Sequence, residues 1–329
     1  MSSQQVKILS IVGPGRSGST LLAQILGETP GVLNVGELRW LWQRGIQEGR
    51  PCGCGLPPVE CPQWSQVLLR LFGELPLGAG RSSAADRRVA DTVAAQRRLA
   101  RRSRRRPAIR SAAHDVGGLA GLQRVRSATE ELVQAVTATT SARVIVDASK
   151  RPIDAAIFSA LSSVDHFVVH LVRDPRAVAF SWGRSRELRT SNPAPDRMAQ
   201  RTAMSSAVRW MENNLGCELL RQNVPDDRWL QLRYEDFIAA PEHEIGRVCT
   251  LLGESQRPPF HGGGAVDLSP NHTVAGNPSR FHTGAVRIRP DDEWRGAMTS
   301  RDKAIVTSLT LPLLRRYSYP VLADRQEGR

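Results

Sequence analysis

Apolar residues are distributed along the chain in short, spaced blocks. Val6–Val12 is a β-branched run that ends in Gly-Pro-Gly, the pattern of a buried strand. A helix is predicted from Gly18 to about Glu28, with Leu21, Leu22, Ile25 and Leu26 on one face. Arg143–Asp147 and His166–Val172 repeat the strand pattern, and a helix is predicted from Pro175, where proline suits a first turn. Trp229–Tyr234 reads as a fourth strand and Pro241–Leu252 as the helix after it. Strands alternating with helices imply a parallel sheet in an α/β layer fold. Between the first two strands, Ser83–Arg106 and Leu119–Ala138 read as inserted helices, broken near Pro107 and Gly117-Gly118. The stretch Arg257–Arg295, rich in Gly, Pro and His, is expected to be a long loop. A last helix is expected over Arg301–Tyr317. No repeat is visible.

The 329 residues are 40% hydrophobic, which excludes a disordered polyelectrolyte, and carry a net charge of +13. That charge is local. Arg81–Arg126 holds thirteen arginines against three aspartates, a net +10, which leaves +3 elsewhere. The excess points to an anionic partner. Arg97–Arg110 has no aromatic neighbour to stack on bases, so specific nucleic-acid readout is not expected. A solvated helix face is the simpler reading, ahead of a peripheral docking surface for an anionic acceptor, carrier or membrane. The polar start is unlike a signal peptide, and no window reaches the ~18 apolar residues of a membrane span. Five cysteines, an odd number, fit a reducing compartment, so a cytoplasmic location is expected. Cys52, Cys54 and Cys61 cluster, but without the paired C-x2-C spacing of zinc sites and with His114 remote. A structured loop with free or loosely paired thiols is expected there, and no metal.

The first strand runs into Gly13-Pro-Gly-Arg-Ser-Gly-Ser-Thr20 and then a helix. A glycine-rich turn at a helix N-terminus offers free N–H groups and a favourable dipole to an anion. Gly13, Gly18 and Thr20 match the phosphate-loop pattern G-x4-G-K-[ST], but Ser19 stands at the lysine position. That lysine reaches the β- and γ-phosphates of a triphosphate, so its absence argues against γ-phosphate chemistry. Arg16 is the basic residue of the turn instead.

Two motifs resemble those of sulfotransferases that use 3′-phosphoadenosine 5′-phosphosulfate (PAPS). Gly15-Arg-Ser-Gly-Ser-Thr-Leu-Leu22 is similar to their 5′-phosphosulfate loop. His170-Leu-Val-Arg-Asp-Pro-Arg-Ala-Val-Ala-Phe-Ser181 is similar to their 3′-phosphate motif, with Arg173 and Ser181 eight positions apart. Further likenesses are Val35-Gly-Glu37, the segment ending at Lys150, Arg233-Tyr234-Glu235-Asp236, and the loop from His272 through Asn277 and Arg280 to Phe281. The cysteine stretch is also similar to bacterial members, with no chemical role implied. The resemblance is weakest over the basic insert.

The resemblance implies one sulfotransferase domain over 1–329, a three-layer P-loop-like parallel sheet flanked by helices. It would carry an arginine-rich helical insert at about 62–140 and a nucleotide-closing loop at about 257–295. It implies sulfuryl transfer from PAPS to a hydroxyl of a small-molecule, glycan or glycolipid acceptor, with 3′,5′-ADP as product and no metal. Peptide and secondary-metabolite acceptors, and the oligomeric state, stay open. Glu37 would be the general base, with Lys150 and Arg16 steadying charge on the leaving phosphate. Ser17, Gly18, Ser19 and Thr20 would hold the phosphosulfate, Arg173, Ser181 and Arg280 the 3′-phosphate, and Tyr234 and Asn277 would border the nucleotide. His170 reads as structural; His272 and His282 flank the closing loop, where either could touch substrate, though exposed loop residues are the simpler reading. The rival reading is a nucleotide-binding kinase or NTPase with a degenerate loop, in which Asp147 at a strand end would hold magnesium.

Overall fold

The computed structural model describes residues 5–78, 83–102, 106–114, 118–184, 187–188, 196–197, 200–261 and 264–321. Five parallel strands form the central sheet: β1 (Val6–Val12), β2 (Val32–Gly36), β3 (Val144–Lys150), β4 (Val164–Val172) and β7 (Trp229–Arg233). Their order is β2-β3-β1-β4-β7, which puts the most apolar runs in the middle. A strand covered on both faces must be apolar at odd and even positions alike. In β1, Ile8 faces one layer with Ile145 and Val35, while Leu9 and Ile11 face the other with Val146 and Val169. All of these side chains are buried.

On one side lie α1 (Ser19–Gly27), α9 (Tyr234–Ala239) and α10 (Pro241–Leu251). The other side holds α2 (Pro62–Phe72), α3 (Ala84–Arg102), α4 (Arg106–His114), α5 (Leu122–Thr139) and α6 (Pro152–Ser159). The basic insert is therefore part of the core. Val89 and Val93 of α3 pack with Leu132 and Val136 of α5 and with Ile8 of the sheet. The break expected near Pro107 falls at the start of α4, which begins at Arg106. Arg81, Arg104, Arg105 and the Gly117 side of the expected break lie outside the described residues.

Three segments depart from expectation. β2 was not anticipated, because five residues interrupted by Asn34 give little periodicity. The helix α7 (Pro175–Gly183) starts where it was predicted, whereas α8 (Ala203–Arg221) was not anticipated, since it carries apolar groups on several faces. The tail is more ordered than a loop. β8 (Phe260–His261), β9 (Ala265–Leu268) and β10 (Gly284–Arg287) form an antiparallel sheet, followed by α11 (Glu293–Ala297) and α12 (Ser300–Arg316). A further two-residue pair is formed by β5 (Glu187–Leu188) and β6 (Asp196–Arg197). Among the described residues, no helix is long and apolar enough to cross a membrane.

Candidate functional site

The C-terminal ends of β1, β2, β3, β4 and β7 open on one cavity of about 800 Å³, a size suited to a nucleotide-scale ligand with room for a second group. Ligands of open parallel sheets bind at this edge, because the helix N-termini and loops converge there. Arg16, Gly18, Ser19, Thr20, Glu37, Lys150, Arg173, Ser181, Tyr234 and Asn277 all line it.

After β1 the chain must turn sharply to enter α1. Gly13 has φ +137°, and a Cβ there would lie 2.2 Å from Leu171 O. Gly18 has φ +85°, and its Cβ would meet the Tyr234 ring at 2.6 Å. Only glycine permits both approaches. Arg16 itself adopts φ +73°, and its guanidinium lies 4.8 Å from the Trp182 ring centre. Ser17 is 1% exposed beneath the loop, and its hydroxyl has no hydrogen-bond partner among the described residues. An orphaned buried hydroxyl beside a cradle of N–H groups fits an anionic ligand.

Strand irregularities bring the next two groups forward. The β2–β3 register shifts between Asn34 and Gly36, and the β1–β3 register shifts near Val12 and Lys150. Asn34 Oδ1 accepts the Gly36 N–H (3.0 Å), Gly36 has φ +76°, and Lys150 has φ +70°. The result is an ion pair between Lys150 Nζ and Glu37 Oε1 on the cavity wall, with side chains 16% and 14% exposed. Lys150 Nζ also donates to Ala148 O (3.1 Å). Glu37 is anchored by its N–H donating to Val274 O (2.7 Å).

Asp147 serves a different purpose from the magnesium role of the rival reading. Its Oδ1 accepts from Ser149 Oγ (2.6 Å) and from the Leu38 N–H (3.0 Å), tying β3 to the turn that carries Glu37. It is absent from the cavity lining, and burial pushes its carboxyl up to about 7.

Arg173 leaves the end of β4. It donates to Arg16 O (3.0 Å) and Asp291 Oδ2 (2.9 Å), and its guanidinium stacks 4.2 Å from the Tyr234 ring centre. Asp174 accepts the Arg176 N–H (2.8 Å) as the cap of α7, which fixes Ser181 two turns along. Arg176, 1% exposed, pairs with Asp174 and donates to Pro320 O (2.9 Å), a structural role. His170 is also structural, bonded through Nε2 to Asn214 Oδ1 (2.8 Å), and burial holds it down to about 4.

Arg280 does not line the cavity. It is 5% exposed and donates to Thr273 O and Pro51 O, both at 2.7 Å, while burial lowers its guanidinium to about 10. His272 is likewise not an exposed loop residue: its Nδ1 lies 3.1 Å from Cys61 Sγ. Residues 272–276 run along the β2 edge, where Val274 bridges to Gly36. Asn277 Oδ1 accepts the Ser279 N–H (3.1 Å), capping the turn Pro278–Phe281.

Two aromatic–arginine pairs in the cavity lining were not foreseen. Trp40 and Arg44 form one, with the Arg44 guanidinium 3.8 Å from the Trp40 ring centre. Trp182 and Arg201 form a second such pair at 3.9 Å. Burial, then the neighbouring Arg209 charge, lowers the Arg201 guanidinium. Ile109 of the insert and Leu219 of α8 add apolar wall. The i, i+4 spacing of Trp40 and Arg44 was the available signal, and it marks nothing until the segment is known to border a cavity.

The model of the sulfotransferase family matches residues 9–258. A sulfotransferase domain from the Synechococcus PCC 7002 olefin synthase shares the fold, with 21% identity, a TM-score of 0.52 and 97% of this chain covering 98% of that one. A sulfotransferase domain from the curacin biosynthetic pathway matches with 16% identity, a TM-score of 0.51, and 97% and 100% covered. No curated protein sequence matches the chain.

Proposed function

The chain belongs to the sulfotransferase family, and on that premise we propose that it moves a sulfuryl group from PAPS to an acceptor hydroxyl, with Glu37 as general base. The acceptor class is a small molecule, glycan or glycolipid. One observation carries the reading: the Glu37–Lys150 ion pair stands on the wall of the cavity that also contains the glycine cradle. It offers a proton acceptor and a cation at one point. In-line transfer of a sulfuryl group to a hydroxyl needs both, a base for the hydroxyl's proton and a cation for the charge that builds on the leaving oxygen.

When bound, PAPS supplies an activated sulfuryl group on a phosphate leaving group. The backbone N–H groups of Gly18, Ser19 and Thr20 at the α1 N-terminus suit its 5′ end, with Ser17 beneath. Arg16 and Lys150 are the nearby cations for charge on the leaving oxygen. Arg173 and Ser181 suit the 3′-phosphate, since guanidinium and hydroxyl together match a phosphate's geometry. Tyr234, packed against Gly18, supplies a flat face, and Asn277 borders the same space. Arg280 supports this site by bracing the loop that carries Asn277. Trp40, Trp182, Arg44 and Arg201 offer the acceptor ring faces and cations, which suits a glycan or an amphiphile with an anionic group.

The test is transfer of radiolabelled sulfate from PAPS to a panel of acceptors, run beside a thermal-shift titration. Label should appear in at least one hydroxyl acceptor, and 3′,5′-ADP should raise Tm where ATP with magnesium does not. Stabilisation by ATP with magnesium alone would overturn the reading.

A further inference from the structure

Away from the cavity floor, three thiols and an imidazole converge. The sulfurs of Cys52, Cys54 and Cys61 and a ring nitrogen of His272 all lie within 4.8 Å of one another. Cys61 Sγ is 3.6 Å from Cys52 Sγ and 3.1 Å from His272 Nδ1, and Cys52 Sγ is 3.9 Å from that nitrogen. A tetrahedral zinc site with bonds of about 2.3 Å to sulfur and 2.0 Å to nitrogen has edges of about 3.8 Å (S···S) and 3.5 Å (S···N). The three separations among Cys52, Cys61 and His272 scatter about those edges, and the Cys54 sulfur lies within 4.8 Å of each of the other ligand atoms.

The geometry points to a structural zinc site of Cys52, Cys54, Cys61 and His272 that clasps the 271–281 loop to the cysteine loop. Three thiolates and an imidazole are a ligand set that selects zinc, and four protein ligands leave no open position for a reacting water. Binding converts three thiols to thiolates, releases three protons to solvent, and leaves a site of net charge −1.

The surroundings are built for that arrangement. Gly53, between two of the cysteines, approaches so closely that a Cβ would lie 1.9 Å from Asn271 Oδ1. Its N–H donates to Thr273 O (2.9 Å). Trp64 Nε1 donates to His272 O (2.6 Å), holding the histidine's backbone. Cys61 is the N-cap residue of α2, where the helix dipole favours a thiolate. Arg280 bonds the carbonyls of Pro51 and Thr273, each one residue from a ligand, so its charge balances the site. The loop held in this way also carries Val274, whose carbonyl anchors Glu37. The clasp therefore sets the shape of the cavity rim. It stands whether or not PAPS is the donor, since its test involves no transfer reaction.

The full chain, purified under reducing conditions from zinc-supplemented cells, is expected to hold one zinc per chain by elemental mass spectrometry. Cys61→Ser and His272→Ala should lose it, while Cys217→Ser, at a buried cysteine outside the cluster, should keep it. A high-affinity chelator should lower Tm, and zinc should restore it. Should the cluster variants not fold, the wild-type chain exchanged into cobalt decides: it should show thiolate-to-cobalt charge-transfer and tetrahedral d–d bands. A wild-type chain without zinc, a cobalt form without those bands, or a Cys52–Cys61 disulfide that persists in zinc would each overturn the proposal.

Discussion

Asp291 occupies the guanidinium that the proposed nucleotide site needs, so removing its charge should tighten binding. Arg173 is nearly enclosed, with its side chain 6% exposed, and donates to both the carbonyl and the carboxylate of Asp291. A 3′-phosphate must displace that carboxylate before it can take the same donor. Asp291 is 41% exposed, so water and salt screen the pair. Exposed ion pairs contribute about 0.2–1 kcal/mol, which at 1.4 kcal/mol per tenfold corresponds to about 1.4- to 5-fold in affinity. Calorimetric titration of Asp291→Asn with 3′,5′-ADP should show that gain, and the gain should shrink as ionic strength rises. Arg173→Ala should move the other way, weakening binding by about 10- to 150-fold through the loss of a charge-assisted hydrogen bond. If Asp291→Asn binds 3′,5′-ADP with unchanged or lower affinity, the competition argument is refuted, and Asp291 holds Arg173 in position.

Glu37→Gln should lower kcat by about 10²- to 10⁴-fold while 3′,5′-ADP affinity stays within about twofold; substantial residual turnover removes Glu37 from the base role. Gly18→Ala forces a left-handed residue at about 1–2 kcal/mol and drives a methyl into the Tyr234 ring, so both Tm and nucleotide affinity should fall; an unchanged pair of values contradicts the packing argument. Acid should also weaken the fold. His166 and His170 are held by burial at about 3 and about 4, below the ordinary 6.5, so the unfolded chain takes up their protons first. Stability is then lost as pH falls from 6.5 towards 4, by about 1.4 kcal/mol per unit for each histidine. Asp147, raised to about 7, works in the opposite sense over the same window and offsets one of them. These three groups together predict a loss of about 2 kcal/mol on going from pH 6.5 to about 5; urea unfolding that is flat across that interval would contradict it.

The central strands and their order of chemistry were legible because each signal is local. A strand buried on both faces is a continuous apolar run, and a phosphate-loop turn needs its glycines within a few residues. Gly13, Arg173 and Tyr234 were readable as strand-end residues for that reason, and Gly18 as the start of the helix; Glu37 and Lys150 were singled out only by the family resemblance. The edge strand β2 escaped because its five residues, interrupted by Asn34, give little periodicity. The tail sheet escaped because its strands run to four residues at most. The basic insert was legible as helices, but its packing was not: its alanines, valines and leucines close one face of the sheet.

The sequence alone thus determined the strand-end residues of the sheet and the local turns that present them. Which of those residues face the cavity was decided in three dimensions. Arg280 turned away to brace two loops, Asp147 turned inward to hold Leu38, and Asp291 arrived from 118 positions away to meet Arg173. His272 reached Cys61 across 211 positions. A side chain's partner at such separations is set by how strands and loops stack, and no spacing rule along the chain contains that information.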